Sequence, residues 1–168
     1  MNHNFLSSSR LKKLKLKSYG KKIQISPNVT IIGSDNIQMG DNVRIDDYTI
    51  ISAKEGFLKL GSNIHIGGQS YLGCGGGIEI KNNVNIAQGV KIYSKINDYL
   101  SAKKKNKIIK GLVKIEKNVI LGSNVVVIGK TKIQEGTTVG ALSLVKQNLN
   151  SWSIYAGCPV KFIKKRKK

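Results

Sequence analysis

His3 and His65 are the only two histidines in this sequence, so an acid–base step run by imidazole has two candidates. Cys74 and Cys158 give neither a disulfide framework nor metal-ligand spacing, and they read as free thiols. What the chain holds in excess is positive charge. Its formal net charge is +20, and 20 of its 29 Lys and Arg fall within residues 10–22, 95–114 and 161–168. Part of that charge is a solvated surface. The rest can hold the phosphates of a cofactor, rest on an anionic membrane leaflet or bind nucleic acid. Nucleic acid is disfavoured, because no helix-turn-helix, zinc-finger or RNP-like pattern accompanies the lysines and the few aromatics are not interleaved with them. Leu11, Leu14 and Leu16 among the lysines of the N-terminal arm keep peripheral membrane contact open.

These residues hang on a six-residue beat. Aliphatic positions recur at Ile25, then Met39, Ile45 and Ile51, then Leu60, Ile66 and Leu72, then Ile80, Ile86 and Ile92. The beat resumes at Ile115 and runs through Leu121, Val127, Ile133 and Val139 to Val145. A second inward residue follows four places later at Val29, Val43, Thr49, Ile64, Val84, Val90, Val119, Val125 and Thr137. Asn precedes it at Asn28, Asn42, Asn63, Asn83, Asn118 and Asn124. Asn tolerates a left-handed backbone better than other non-glycine residues, so these positions are corners. Triplets of hexapeptides make triangular coils, and stacking the coils buries one narrow aliphatic core that no single coil could bury alone. A β-sandwich would not hold a six-residue phase over this length.

The composition agrees with one elongated domain: 168 residues, 40% hydrophobic and only 6% aromatic. No apolar stretch approaches the roughly 20 residues of a membrane span, and the N-terminus lacks a secretory apolar region, so a cytoplasmic location is expected. Residues 1–22 read as a basic arm, 23–150 as the solenoid and 151–168 as a C-terminal cap and basic tail. Between Lys95 and Leu112 the beat stops. An insertion of this length in a regular solenoid is commonly functional.

The stretch "IKNNVNIAQGVKIYS" before that loop, the coils "VKIEKNVILGSNVVVIGKTKIQEGTTVGALSLV" after it and the closing "WSIYAGCPVKFIKKRKK" resemble the hexapeptide-repeat acyltransferases. The similarity is to the maltose, galactoside and xenobiotic acetyltransferases and to the capsule and O-antigen acetyltransferases. It spans residues 23–168, without the larger helical N-terminal extension of the maltose and galactoside enzymes. The resemblance implies an all-β, left-handed parallel β-helix of about six coils with a protruding loop at 95–112. It also implies a homotrimer with acetyl-CoA in the groove between neighbouring subunits. Small residues at Ser123, Gly140, Ala141 and Ser143 would admit the pantetheine arm, and Lys146, Lys161, Lys164, Lys165 and Arg166 would meet its phosphates. Gly157 and Pro159 would turn the tail along the groove or simply cap the solenoid.

One departure bears on mechanism. In many relatives a catalytic His closes the coil before the loop and deprotonates the acceptor hydroxyl. Aligning "IYSKINDYL" with that phrase puts Asn97 at the position, and Asn is not a general base. The same comparison sets aside a γ-type carbonic anhydrase, which needs three His ligands. Three readings of Asn97 remain. Transfer to an amine needs no strong base, because an amine with pKa about 8 is partly neutral at pH 7. Transfer to a hydroxyl, pKa near the roughly 15.7 of water, would need a substitute such as Asp98 or a neighbouring subunit's His65. A third possibility is a catalytically degenerate trimeric scaffold that only binds. Asp98 and Tyr99 follow the motif directly. Asp46, Asp47, Tyr48 and Gln69 could hydrogen-bond a sugar but are better explained as outward positions of the prism. The expected acceptor is a sugar or amino sugar of cell-surface polysaccharide synthesis, whether free, nucleotide-linked or lipid-linked.

Overall fold

A computed structural model describes residues 5–98 and 107–167. His3 and Tyr99 lie outside the described residues, as does the centre of the loop. The chain winds through six coils of short strands that stack into three parallel sheets, the faces of a triangular prism. Strands such as Leu58–Leu60 and Ile78–Ile80 form the first face, Ile64–Ile66 and Val84–Ile86 the second, and Tyr71–Gly73 and Lys91–Tyr93 the third. Each strand pairs in register with its counterpart one coil away, so that Leu60 lies beside Ile80 and Ile80 beside Ile115.

All of the leading aliphatics from Ile25 to Val145 are buried. Of the second inward set only Val29, in the first coil, is partly exposed. The register also completes the first coil. Tyr19 stands beside Met39, and Ile31 beside Ile51, so the solenoid begins at Ser18–Tyr19 and not at residue 23. A tyrosine at the repeat position hid that coil from an aliphatic pattern.

The arm before it is a cap. Leu6 N donates to the Ile25 carbonyl at 2.8 Å, Ser8–Lys13 forms a short helix, and Leu6, Leu11, Leu14 and Leu16 pack against the core. The leucines that suggested membrane contact therefore cover the open end of the first coil. No described helix is long and apolar enough to cross a membrane.

The corners behave as stacking requires. Lys22, Asn42, Asn63, Asn83, Asn118 and Gly136 all take positive φ at the corner between first and second faces. The amides join in a ladder, Asn42 to Asn63 at 2.9 Å, Asn63 to Asn83 at 3.0 Å and Asn83 to Asn118 at 3.3 Å. Asn28 is the exception among the predicted corners. It follows Pro27, and its turn is held by Ser26, whose Oγ and carbonyl accept from Asn28 N and Val29 N. Close stacking also explains Gly122: a Cβ there would come within 2.6 Å of the Ala141 backbone nitrogen.

At the far end Ser153–Ala156 adds to the second face beside Thr138–Val139. The chain turns through Gly157 and a cis Cys158–Pro159 bond, and Lys161–Lys165 returns antiparallel to Ser153–Ala156.

Candidate active site

The interrupted beat becomes a hairpin. After Lys91–Tyr93 on the third face, Lys95–Asn97 pairs antiparallel with Ile108–Lys110, setting Ile96 beside Ile109 and Asn97 beside Ile108. The stem is thus ordered strand where the repeat pattern showed no phase. Asp98 N closes it with a 2.7 Å bond to the Lys107 carbonyl. Buried Ser94 anchors the base: its Oγ donates to the Gly73 carbonyl at 2.8 Å and accepts from Gly76 N at 2.9 Å. Asn97 is exposed on this stem and Asp98 is half-buried beside it.

Beside the stem the third face carries a cavity of about 260 Å³, lined in part by Tyr71, Tyr93, Ser52, Lys54, Glu55 and Lys95. The two tyrosine rings lie 5.2 Å apart with planes inclined by 36°. Glu55 receives Lys95 Nζ at 2.7 Å and Lys110 Nζ at 3.6 Å, which ties the hairpin stem to the solenoid. The hydrogen bond and charge of Lys95 hold the Glu55 carboxyl below its ordinary range. An ionised, cation-paired carboxylate is a weak base. The pocket offers aromatic faces, ammonium groups and hydroxyls, the means to stack a flat ring and hold an anionic or hydroxylated ligand. Sequence reasoning missed Tyr71 and Tyr93; their separation by one coil plus two residues, which puts both on the outward side of adjacent strands, was the available signal.

His65 stands elsewhere. It points outward from the middle of the second face, between Arg44 and Asn85 in register. The hairpin leaves from the corner between third and first faces, so within one chain the prism lies between His65 and Asn97. His65 Nε2 is 2.8 Å from Asp46 Oδ2, and Arg44 Nε donates to Asp46 Oδ1 at 2.6 Å. Partial burial opposes ionisation of Asp46. The hydrogen bonds and charges of Arg44 and His65 outweigh it and hold the carboxyl below its ordinary value. Asp47 accepts from Ser26 Oγ and from Asn28 Nδ2, while Tyr48 and Gln69 form corners at positive φ.

The residues expected to hold coenzyme A cluster around the last two coils and the tail. Leu142 N bonds to the Ser123 carbonyl at 2.9 Å, Gly140 N to Tyr155 and Leu144 N to Gly157. Ala141 is exposed on this corner. Ser143 is buried, and its Oγ accepts from Gly157 N at 3.0 Å, so it fastens the tail turn. Lys146, Lys161, Lys164 and Lys165 are exposed, and Lys165 Nζ reaches Ser153 Oγ at 3.4 Å. Arg166 is used within the fold: Nη1 donates to the carbonyls of Asn118 and Gly136 at 2.9 and 3.1 Å.

No family model matches the chain. It is 34% identical over 172 aligned positions to the dTDP-4-amino-4,6-dideoxy-D-glucose acyltransferase of Escherichia coli, an alignment covering 98% of this chain and 90% of that protein. This chain is a hexapeptide-repeat acyltransferase. Among solved structures, AntD, an N-acyltransferase from Bacillus cereus in complex with dTDP and 3-hydroxybutyryl-CoA, is 36% identical at a TM-score of 0.92, covering 99% of this chain and 92% of that one. A mutant of AntD in complex with dTDP-4-amino-4,6-dideoxyglucose and coenzyme A gives a TM-score of 0.94, with 36% identity and the same coverage. A maltose O-acetyltransferase from Clostridium difficile shares the fold at a TM-score of 0.70 and 23% identity, covering 99% and 81% of the two chains. The hexapeptide-repeat acyltransferase is thus built on the parallel β-helix that its periodicity announced, of the left-handed class that the resemblance implied.

Proposed function

We propose that this enzyme transfers an acyl group from an acyl-CoA, acetyl-CoA or a short-chain relative, to the amino group of a dTDP-linked amino sugar. The observation that carries the reading is Asn97. It stands on the hairpin stem beside the tyrosine pocket, where a hydroxyl-acylating relative would hold a His, and an amine tolerates that replacement. The E. coli relative is named for a dTDP-4-amino sugar, and AntD is known in complex with such a sugar and with coenzyme A. Both lend weight to an amine acceptor and acyl-CoA donor. Tyr71 and Tyr93 supply stacking surface for the acceptor, with Lys54 and Lys95 near enough to serve its diphosphate. The exposed lysines of the tail, Lys161, Lys164 and Lys165, suit the phosphates of coenzyme A.

The acylated nucleotide sugar would feed glycosyl transfer in cell-surface polysaccharide synthesis. The assembly is a homotrimer, and the compartment is the cytoplasm, where acyl-CoA and nucleotide sugars meet. The arm's leucines pack against the core at the first coil.

The test is CoA release from acetyl-CoA and 3-hydroxybutyryl-CoA, with mass-spectrometric product identification, against dTDP-linked 4-amino sugars and their 4-hydroxyl counterparts. Amide formation confined to the amines is the expected result. Ester formation, or no turnover together with no thermal stabilisation by CoA beyond that given by ATP or heparin, would overturn the proposal.

A further inference from the structure

The capped end of the prism is basic without compensation. The seven Lys and Arg of residues 10–22 are all exposed, and residues 1–34 hold no Asp or Glu. Among the described residues none of these seven side chains takes part in an ion pair, whereas Lys59 pairs with Glu79 at 3.8 Å, Lys132 with Glu116 at 3.8 Å and Lys95 with Glu55 at 2.7 Å. Asp41, one coil on, reaches the cap only by accepting the main-chain N–H of Lys21 at 2.6 Å. The fold decides which way the charges face. Leu11, Leu14 and Leu16 pack inward over the first coil, so Arg10, Lys12, Lys13, Lys15 and Lys17 are left on the outer side of the cap. Lys21 and Lys22 join them at the first corner of the solenoid. Like charges held together repel, and an anionic partner relieves them. Against the helix and the first coil lies a cleft of about 400 Å³, lined in part by Ser8, Leu11, Lys12, Tyr19, Lys22 and Ile23. Two ammonium groups, two hydroxyls and an apolar wall suit a phosphodiester with the start of its acyl chains. Tyr19 is 37% exposed there, and tyrosine rings favour the boundary between membrane and water.

We infer that this cap docks the enzyme on an anionic lipid leaflet, with one lipid phosphate in the cleft held by Lys12 and Lys22. A leaflet presents many negative headgroups in one plane, and the cap is one end of the prism. Docking there leaves the three faces, the tyrosine pocket and the tail open to solution. Each Lys or Arg near such a surface tightens the partition about fivefold, within a range set by a Debye length of about 10 Å. The leucines stay on the core, so no apolar face is inserted and salt reverses the attachment. Nucleic acid is served less well. Tyr19 is the one exposed ring of the cap among the described residues and Arg10 its one guanidinium, which is little to stack bases on. Docking of this kind does not depend on which acceptor the active site takes.

Vesicle flotation of the full chain tests this. At about 0.1 M NaCl the protein should float with phosphatidylcholine vesicles containing a third phosphatidylglycerol and stay behind with phosphatidylcholine alone, and about 0.5 M NaCl should release it. Lys12→Gln, Lys15→Gln, Lys17→Gln and Lys22→Gln together should weaken the partition by about a hundredfold or more, while Lys→Arg at the same four positions keeps it. Melting temperature and acyl transfer in solution should match wild type in both, because these side chains are exposed and lie outside the active site. Lys146→Gln, Lys161→Gln, Lys164→Gln and Lys165→Gln remove the same charge from the other end and should leave flotation nearly unchanged. For the cleft, Lys12→Gln with Lys22→Gln should weaken binding more than Lys13→Gln with Lys17→Gln, and equal losses would overturn the seated phosphate. No flotation with the anionic vesicles, equal losses from the cap and tail variants, or binding that persists at high salt overturns the docking. A duplex RNA that strips the protein from the vesicles at equal phosphate concentration also overturns it and makes nucleic acid the partner.

Discussion

Arg166, near the end of the chain, donates from Nη1 to the main-chain carbonyl of Asn118, 48 residues earlier, at 2.9 Å. The same nitrogen reaches the Gly136 carbonyl one coil on, at 3.1 Å. Both acceptors are positive-φ corner residues, so a single guanidinium staples the tail across the last two coils.

Arg166→Ala should therefore cost about 2 kcal/mol, since hydrogen bonds to charged groups contribute about 1.5–3 kcal/mol. In a chain of this size that corresponds to a Tm lowered by roughly 4–8 °C, read by calorimetry. The KM for acyl-CoA should change little. An unchanged Tm with a raised KM would return Arg166 to the cofactor phosphates, where the resemblance placed it.

The repeat was legible because burial imposes it: one aliphatic must face the axis every six residues, and Ile25 through Val145 meet that demand. The corner at Asn63 was legible because its residue type matches the backbone it adopts. Lys22, Tyr48, Gln69 and Leu142 take the same positive φ without any such preference, since stacking sets the corner and local propensity does not. The hairpin stem was hidden because its pairing, Ile96 with Ile109, depends on contact across a lysine-rich segment. On the second face, the contact between His65 and Asp46, 19 residues apart, became visible only once the register set His65 beside Arg44.

The two thiols should separate cleanly by reactivity. Cys74 is fully buried behind the third face, and burial pushes its thiol up to about 12; Cys158 is exposed in the tail turn. A disulfide reagent at pH 8 should modify one thiol in the native protein and the second only on denaturation. Peptide mapping that found Cys74 modified in the native state would contradict the packing described here.

Stability should fall at acid pH in a way that Asp46 helps to set. Its folded carboxyl stays ionised to lower pH than in the unfolded chain. The stability it supplies is complete above the unfolded value, about 4, and is lost as pH falls through the lower folded value. Asp46→Asn should lower the denaturant midpoint at pH 7 and narrow the gap from wild type as pH drops below about 4. A gap constant with pH would mean that the Arg44 and His65 contacts to Asp46 do not favour its charged form. Glu55 shifts in the same direction, but it is solvent-exposed and screened, so Glu55→Gln should change the profile little.

Asn97 tests the choice of acceptor most directly. It is exposed on a stem pinned by Ser94 and Glu55, so its replacement should leave the fold and the tail lysines undisturbed. If Asn97 orients the amine or the thioester carbonyl, Asn97→Ala should lower kcat roughly tenfold, the scale of about 1.4 kcal/mol of lost transition-state interaction, with the KM for acyl-CoA nearly unchanged. Asn97→His supplies a base where hydroxyl-acylating relatives keep one, and should raise ester formation on the 4-hydroxyl sugar from background while amide formation persists. Equal kinetics in wild type and Asn97→Ala would remove the residue from the mechanism. A gain of ester product in Asn97→His alone would show that the missing imidazole, and not the shape of the tyrosine pocket, restricts the wild-type enzyme to amines.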